Sequence, residues 1–142
     1  ATDGCAAYPA NTFVRSGAVF SGVRREGGGE NHASLPFEPA KGYHILAVVW
    51  DGAHDRLRQW LTTPDGKTVH STAVSGTTDF AELPEVRLGA LNRDNTGGTT
   101  MSYLNGGIAS LLVYSRALDD AGREAAVDYL SRRYFGKPAA KE

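Results

Sequence analysis

The chain has 142 residues, 15 Lys and Arg against 16 Asp and Glu, and a formal net charge of -1. That length suits one domain burying roughly two-thirds of its unfolded surface, so it needs no disulfide or metal staple to fold. Cationic residues are spread thinly and form no stripe, which argues against nucleic acid or an anionic membrane as the main partner. The longest apolar runs, such as ILAVVW, fall far short of the roughly 20 residues of a membrane span, so no span is expected.

The opening ATDGCAAYPA lacks an initiator Met and a charged, apolar leader, which fits a removed signal peptide or a start within a longer protein. An extracytoplasmic location is expected. Cys5 is the only cysteine and forms no intrachain disulfide; it reads as a thiol without a role, with pairing to another chain as the alternative. Residues 1–11 read as an N-terminal arm, 12–136 as a single domain ending in a helix over 119–135, and 137–142 as a loose tail.

Strand signals dominate from about residue 12 to 114. TFVRSGAVFSGVRRE, YHILAVVWDG, RLRQWLTTPDGKTVHSTAV, EVRLGAL and GGIASLLVYSRAL are β-branched or aromatic runs bounded by Gly, Asp, Asn or Pro. With no helix-length segment between them, a sandwich or barrel is expected over a βαβ fold. In RLRQWL, alternation places Leu57, Gln59 and Leu61 on a core face and Arg56, Arg58 and Trp60 on a wetter one. Both alternating sets of Tyr43 to Trp50 are largely apolar, which reads as a central strand covered on both faces. Thr63 to Lys67 reads as a hairpin turn with Asp-Gly supplying positive φ. Arg25 to Asn31 and Leu91 to Thr100 read as rim loops.

The closing helix is capped by Asp119 or Asp120 and stopped by Gly136 with Pro138 beyond it. Ala126, Leu130 and Tyr134 repeat at i, i+4, i+8, so this stripe is expected to lie on the body of the domain.

The order YHILAVVWDG, LRQWLTTPDGK, VRLGALN, LNGGIASLLVYSRALDDAGREAAVDYLSRRYF resembles the second half of a laminin-G-like domain of the concanavalin A-like lectin/glucanase superfamily. Tyr43, His44, Trp50, Asp51, Gly52, Asp65, Gly66, Lys67, Gly107, Ile108, Ala109, Tyr114, Arg116, Ala117 and Leu118 carry the likeness, which covers roughly Tyr43 to Phe135. It implies an all-β fold: an antiparallel β-sandwich, a jelly roll, with a short C-terminal α-helix. Gly122 stands where the family commonly has a capping Glu. The first 42 residues are few for the family's early strands, so a trimmed sandwich or a piece supplied by another chain both stay open. The acidic and carbonyl Ca²⁺ ligands of some members do not map onto this chain.

Hydrolases of this superfamily set paired acids on one strand, with carboxyls about 5 Å or about 6.5–9.5 Å apart. No such pattern occurs here, and Glu26 and Glu30 only flank a triple glycine. Arg58, Gln59, His70 and Tyr114 supply the residue types of a polysaccharide lyase without its local motifs. His44 reads as a packed or hydrogen-bonded residue, and His32, His54 and His70 lack the spacing of a zinc site. No catalytic residue, metal site or cofactor is expected. The candidate ligand-binding residues are the rim group Asn92, Arg93, Asp94, Asn95, Tyr103 and Asn105, with Trp60 as the exposed one of the two tryptophans. Amides and carboxylates bind sugar hydroxyls, aromatic faces stack on sugar rings, and Asp94 with Asn95 offers oxygens of the type Ca²⁺ takes; turn chemistry alone also favours Asn, Asp and Gly here. The expected function is a non-catalytic, lectin-like module that binds glycan through rim loops. The alternative is an accessory subunit docking onto a larger extracytoplasmic protein complex.

Overall fold

A computed structural model of the chain describes residues 8–24, 30–75, 88–89, 91–92, 100–101 and 104–137. Strands β1 (Tyr8–Arg15), β2 (Ala18–Arg24) and β3 (Glu30–Pro36) form one antiparallel sheet in the order β1-β2-β3. The run TFVRSGAVF is therefore two strands. Ser16 and Gly17, at φ 50° and 74°, turn the chain between paired Arg15 and Ala18, because positive φ at both central residues matches the twist of a tight hairpin. Residues 8–11, placed in an arm on sequence grounds, belong to β1.

A second antiparallel sheet has the order β4-β5-β6, with β4 at Ile45–Asp51, β5 at Arg56–Thr62 and β6 at Thr68–His70. Its β5–β6 turn confirms the hairpin at Thr63 to Lys67. Gly66 alone takes positive φ there, while Thr63 N–H donates to Lys67 O at 2.9 Å and the Asp65 carboxylate accepts from the Thr63 hydroxyl. A short ladder joins β7 (Leu91–Asn92) to β8 (Thr100–Met101). Among the described residues the elements are thus mostly strands, in two three-stranded antiparallel sheets and this ladder, with one C-terminal helix, α1 (Asp120–Phe135). Among the described residues, no helix is long and apolar enough to cross a membrane.

β5 holds these parts together. Antiparallel partners share a face, so Leu46, Val48 and Trp50 of β4 lie with Leu61, Gln59 and Leu57 on one side of the sheet. Leu61 packs there with Val19 of β2 and Leu35 of β3, bordered by Phe37 and Leu46. Gln59, 0% exposed, donates from Nε2 to the Val19 carbonyl at 3.1 Å and so ties β5 to the first sheet. The other face carries Trp60, which lies beneath α1.

Three expectations need correction. Centrality belongs to β5, which pairs on both sides; β4 pairs only with β5 among the described residues, and most of it is half-buried. Apolar content on both faces showed that β4 is covered without showing where it sits in the sheet. The segment Gly106 to Leu118, expected as a strand, has no ladder partner among the described residues. Its Ile108, Leu111, Leu112, Val113 and Tyr114 are exposed, Val113 at 79%. β-propensity expresses packing on neighbours, and among the described residues no strand lies alongside this segment.

The helix stripe is also displaced. Arg123, Val127 and Ser131 are buried, Ala126 and Leu130 are half-buried, and Tyr134 is 39% exposed, its hydroxyl donating to Ala109 O at 3.3 Å. The inner line begins with an arginine, whose guanidinium lies 4.4 Å from the centre of the Trp60 ring. A hydropathy repeat cannot register that residue as core, since it is the ring that makes burial favourable. The ends of α1 follow expectation: Asp119 accepts from Gly122 N–H at 2.8 Å, and Gly136 takes the left-handed C-cap at φ 71°.

Gln59→Ala removes the inter-sheet bond and empties the buried space that its amide fills. It should lower stability by about 1–3 kcal/mol, read as a lower urea midpoint; an unchanged midpoint would show that the amide bond does not join the sheets.

Candidate functional site

The face of β4 and β5 opposite the inter-sheet core builds a cleft. Pairing of Val49 with Arg58 and Asp51 with Arg56 sets these four side chains on one surface with Trp60, two residues further along β5. Leu118, Asp119 and Asp120, where the chain enters α1, form the other wall, and the cleft encloses about 350 Å³. That falls within the size range of small-ligand sites.

Each polar group has a distinct state. Asp51 accepts from His54 Nδ1 at 2.7 Å and from Arg56 at 3.3 Å. A carboxylate only accepts, so the imidazole must carry its proton on Nδ1. The His54 bond is the main cause holding the Asp51 carboxyl below the usual carboxylate range, with Arg56 adding to it and burial opposing. His54 comes within reach because the chain turns through Gly52–His54, a single 3-10 turn, and then takes left-handed geometry at Asp55, φ 47°.

Arg58 is half-buried, and its guanidinium lies 4.9 Å from the centre of the Trp60 ring. Neither a carboxylate nor a hydrogen-bond acceptor among the described residues engages it, so its donors face the cleft open. Across from it, one oxygen of Asp119 is taken by the helix cap, and Asp120 stands 3.8 Å from Arg123. The cleft therefore combines open donors, carboxylate acceptors and apolar surface from Trp60 and Val49 in the floor and Leu118 on the far wall. Such a set has the hydrogen-bonding groups and apolar surface that suit a polar molecule, and among the described residues lining it no nucleophile is paired with a base.

The residues singled out from sequence fare unevenly. Arg93, Asp94, Asn95 and Tyr103 lie outside the described residues, as does Glu26. Asn92 ends β7 opposite Thr100, so the Leu91 to Thr100 loop is closed at its foot by a ladder. Asn105 is exposed beside that foot, next to Leu104, whose N–H donates to Gly89 O at 2.8 Å. Trp60 requires correction: it is 4% exposed, with two guanidinium groups over its ring, and it contributes to the cleft as floor instead of as a free stacking surface. Alternation placed it correctly beside Arg58 but could not foresee the helix that covers it. His44 packs on Phe37 at 4.8 Å between ring centres and bonds through Nδ1 to Gly42 O, as its packed reading expected.

Asp51, Arg56, Arg58, Asp119 and Asp120 were not read as a site from sequence. The two arginines carried a signal, since their period-two spacing with Trp60 puts all three on one face. Bringing Asp51 opposite Arg56 required the β4–β5 register, and bringing in Asp119 required the docking of α1. Compared with known proteins, the chain matches no family model, no curated protein and no solved structure.

The lowered Asp51 value fixes a sign. A depressed carboxyl favours the folded state above the unfolded-state value, and that contribution disappears as pH falls through the folded value. His54→Ala should therefore move the Asp51 midpoint up toward the ordinary carboxyl range in a carbon-detected NMR titration. A midpoint that stays put would show that the imidazole does not hold it down.

Proposed function

We propose that the chain is a non-catalytic binding module that recognises glycan and works outside the cytoplasm. Its two antiparallel sheets, joined through Leu61 and Gln59 and accompanied by one terminal helix, are compatible with a jelly-roll sandwich of the laminin-G-like kind suggested by the sequence. The observation that carries the binding reading is the cleft: guanidinium donors and carboxylate acceptors on opposite walls over an indole floor. Sugar hydroxyls both donate and accept, and the carbon faces between them are apolar, so a saccharide unit engages the donors and acceptors of the two walls while packing on Val49 and Leu118 beside the covered indole. The rim group around Asn92 and Asn105 is a further surface for the same class of ligand, with Ca²⁺ as an optional bridge at Asp94 and Asn95.

A broad oligosaccharide array probed with and without chelator tests this reading. Binding is expected, and Asp51→Asn, which disrupts the His54–Asp51–Arg56 arrangement, should weaken it about tenfold, the equivalent of one charge-assisted hydrogen bond. Silence across the array would contradict it.

The second reading, an accessory subunit docking onto a larger protein complex, has its own observation. From Leu104 to Ser115 the chain is uncharged, and five large apolar side chains between Ile108 and Tyr114 stand exposed. Exposed apolar surface of this kind marks interaction sites. On this reading, native material elutes in size exclusion within a larger complex, and Val113→Lys releases it as a single chain. Native material already running as a single chain would contradict docking.

A further inference from the structure

We propose that the cleft selects a carboxylated sugar, a uronic acid unit, through Arg58; this rests on the glycan reading and names the class of glycan. The reason lies in which charges are already satisfied. Asp51 is engaged by His54 and Arg56, and Asp120 has Arg123 nearby. Arg58 is different: half-buried and set over the Trp60 ring, it meets no acceptor among the described residues.

A guanidinium held over an indole has few orientations left, so ordering it on binding costs little. Its planar fork matches a carboxylate with two parallel hydrogen bonds, a geometry a lone hydroxyl cannot reproduce. On the facing wall, Asp119 has one oxygen taken by the Gly122 N–H and one left to accept. That carboxylate would repel a second anion placed against it and would attract a hydroxyl donor. The ligand that satisfies both walls bears its carboxylate at one side and hydroxyls at the other, which describes a uronic acid ring. A polyanion bearing sulfates all round fits poorly, because Asp119 and Asp120 would face some of them.

The test varies the ligand and leaves the protein intact. Unsulfated uronate oligosaccharides, oligogalacturonate and hyaluronan fragments, are titrated calorimetrically against the full chain alongside the same molecules with their carboxyls reduced to alcohols. The expected result is at least tenfold tighter binding of the acidic forms, weakening as salt rises because the pair is only half-buried. Arg58→Gln should abolish that preference, so that acidic and reduced forms bind with equal affinity, and Arg58→Lys should retain charge but lose most of the preference with the fork.

Equal binding of acidic and reduced forms would overturn the uronate assignment and leave the glycan reading standing. Binding of neither, in agreement with a silent array, would overturn both. Preferential binding of a short peptide through its free C-terminal carboxylate would also overturn the assignment, since the carboxylate would then come from another class of molecule.

Discussion

Everything described depends on β5 being covered on both faces. On one face Leu57, Gln59 and Leu61 turn toward the first sheet; on the other Trp60 lies under α1. An alternating Leu-Arg-Gln-Trp-Leu sequence can serve both only because its polar members have specific partners. Gln59 reaches the Val19 carbonyl, and Trp60 receives the Arg123 guanidinium. A buried arginine is ordinarily costly; resting on an indole face, and close to Asp120 and Glu124, it has the company that makes burial tolerable. The helix is thus fixed by an electrostatic contact at its first turns and by Val127 and Ser131 further along.

That arrangement also makes the cleft. The chain must enter α1 beside β4 and β5 for Arg123 to reach Trp60, and this brings Leu118, Asp119 and Asp120 opposite Arg56 and Arg58. Asp119 therefore acts twice, as helix cap and as cleft wall. The apolar segment Ile108 to Tyr114 is the cost of the same geometry: it connects the β7–β8 ladder to α1, touching the helix through Ala109 and Tyr134, and exposes side chains of a kind normally kept from water. A cleft suited to hydroxyls and a segment suited to apolar partners occupy different parts of the chain, so the two binding readings do not compete for the same residues.

Much of this was legible in the sequence, and the failures have physical causes. Alternation identified the core face of β5, Asp-Gly identified the β5–β6 turn, and Asp119 and Gly136 identified the helix ends, because each is a local property of backbone geometry. The hairpin at Ser16–Gly17 was also local and was hidden inside a longer β-rich run. What could not be read locally was tertiary. Hydropathy counted Tyr134 as core and ignored Arg123, since the value of Arg123 comes from a tryptophan far away in sequence. Likewise Ile108 to Tyr114 has every local mark of a strand and, among the described residues, no neighbour that would make it one. The cleft is illegible in the sequence for the same reason: its two walls are about sixty residues apart in the chain.

Residue-resolved amide hydrogen exchange tests the two-sided covering of β5 most directly, because protection reports how much structure must open before an amide meets water. The account predicts that the Arg58 to Leu61 amides exchange only with global unfolding, while the Ile108 to Tyr114 amides exchange fast. Amides in β5 that exchange as readily as those of Ile108 to Tyr114 would contradict it.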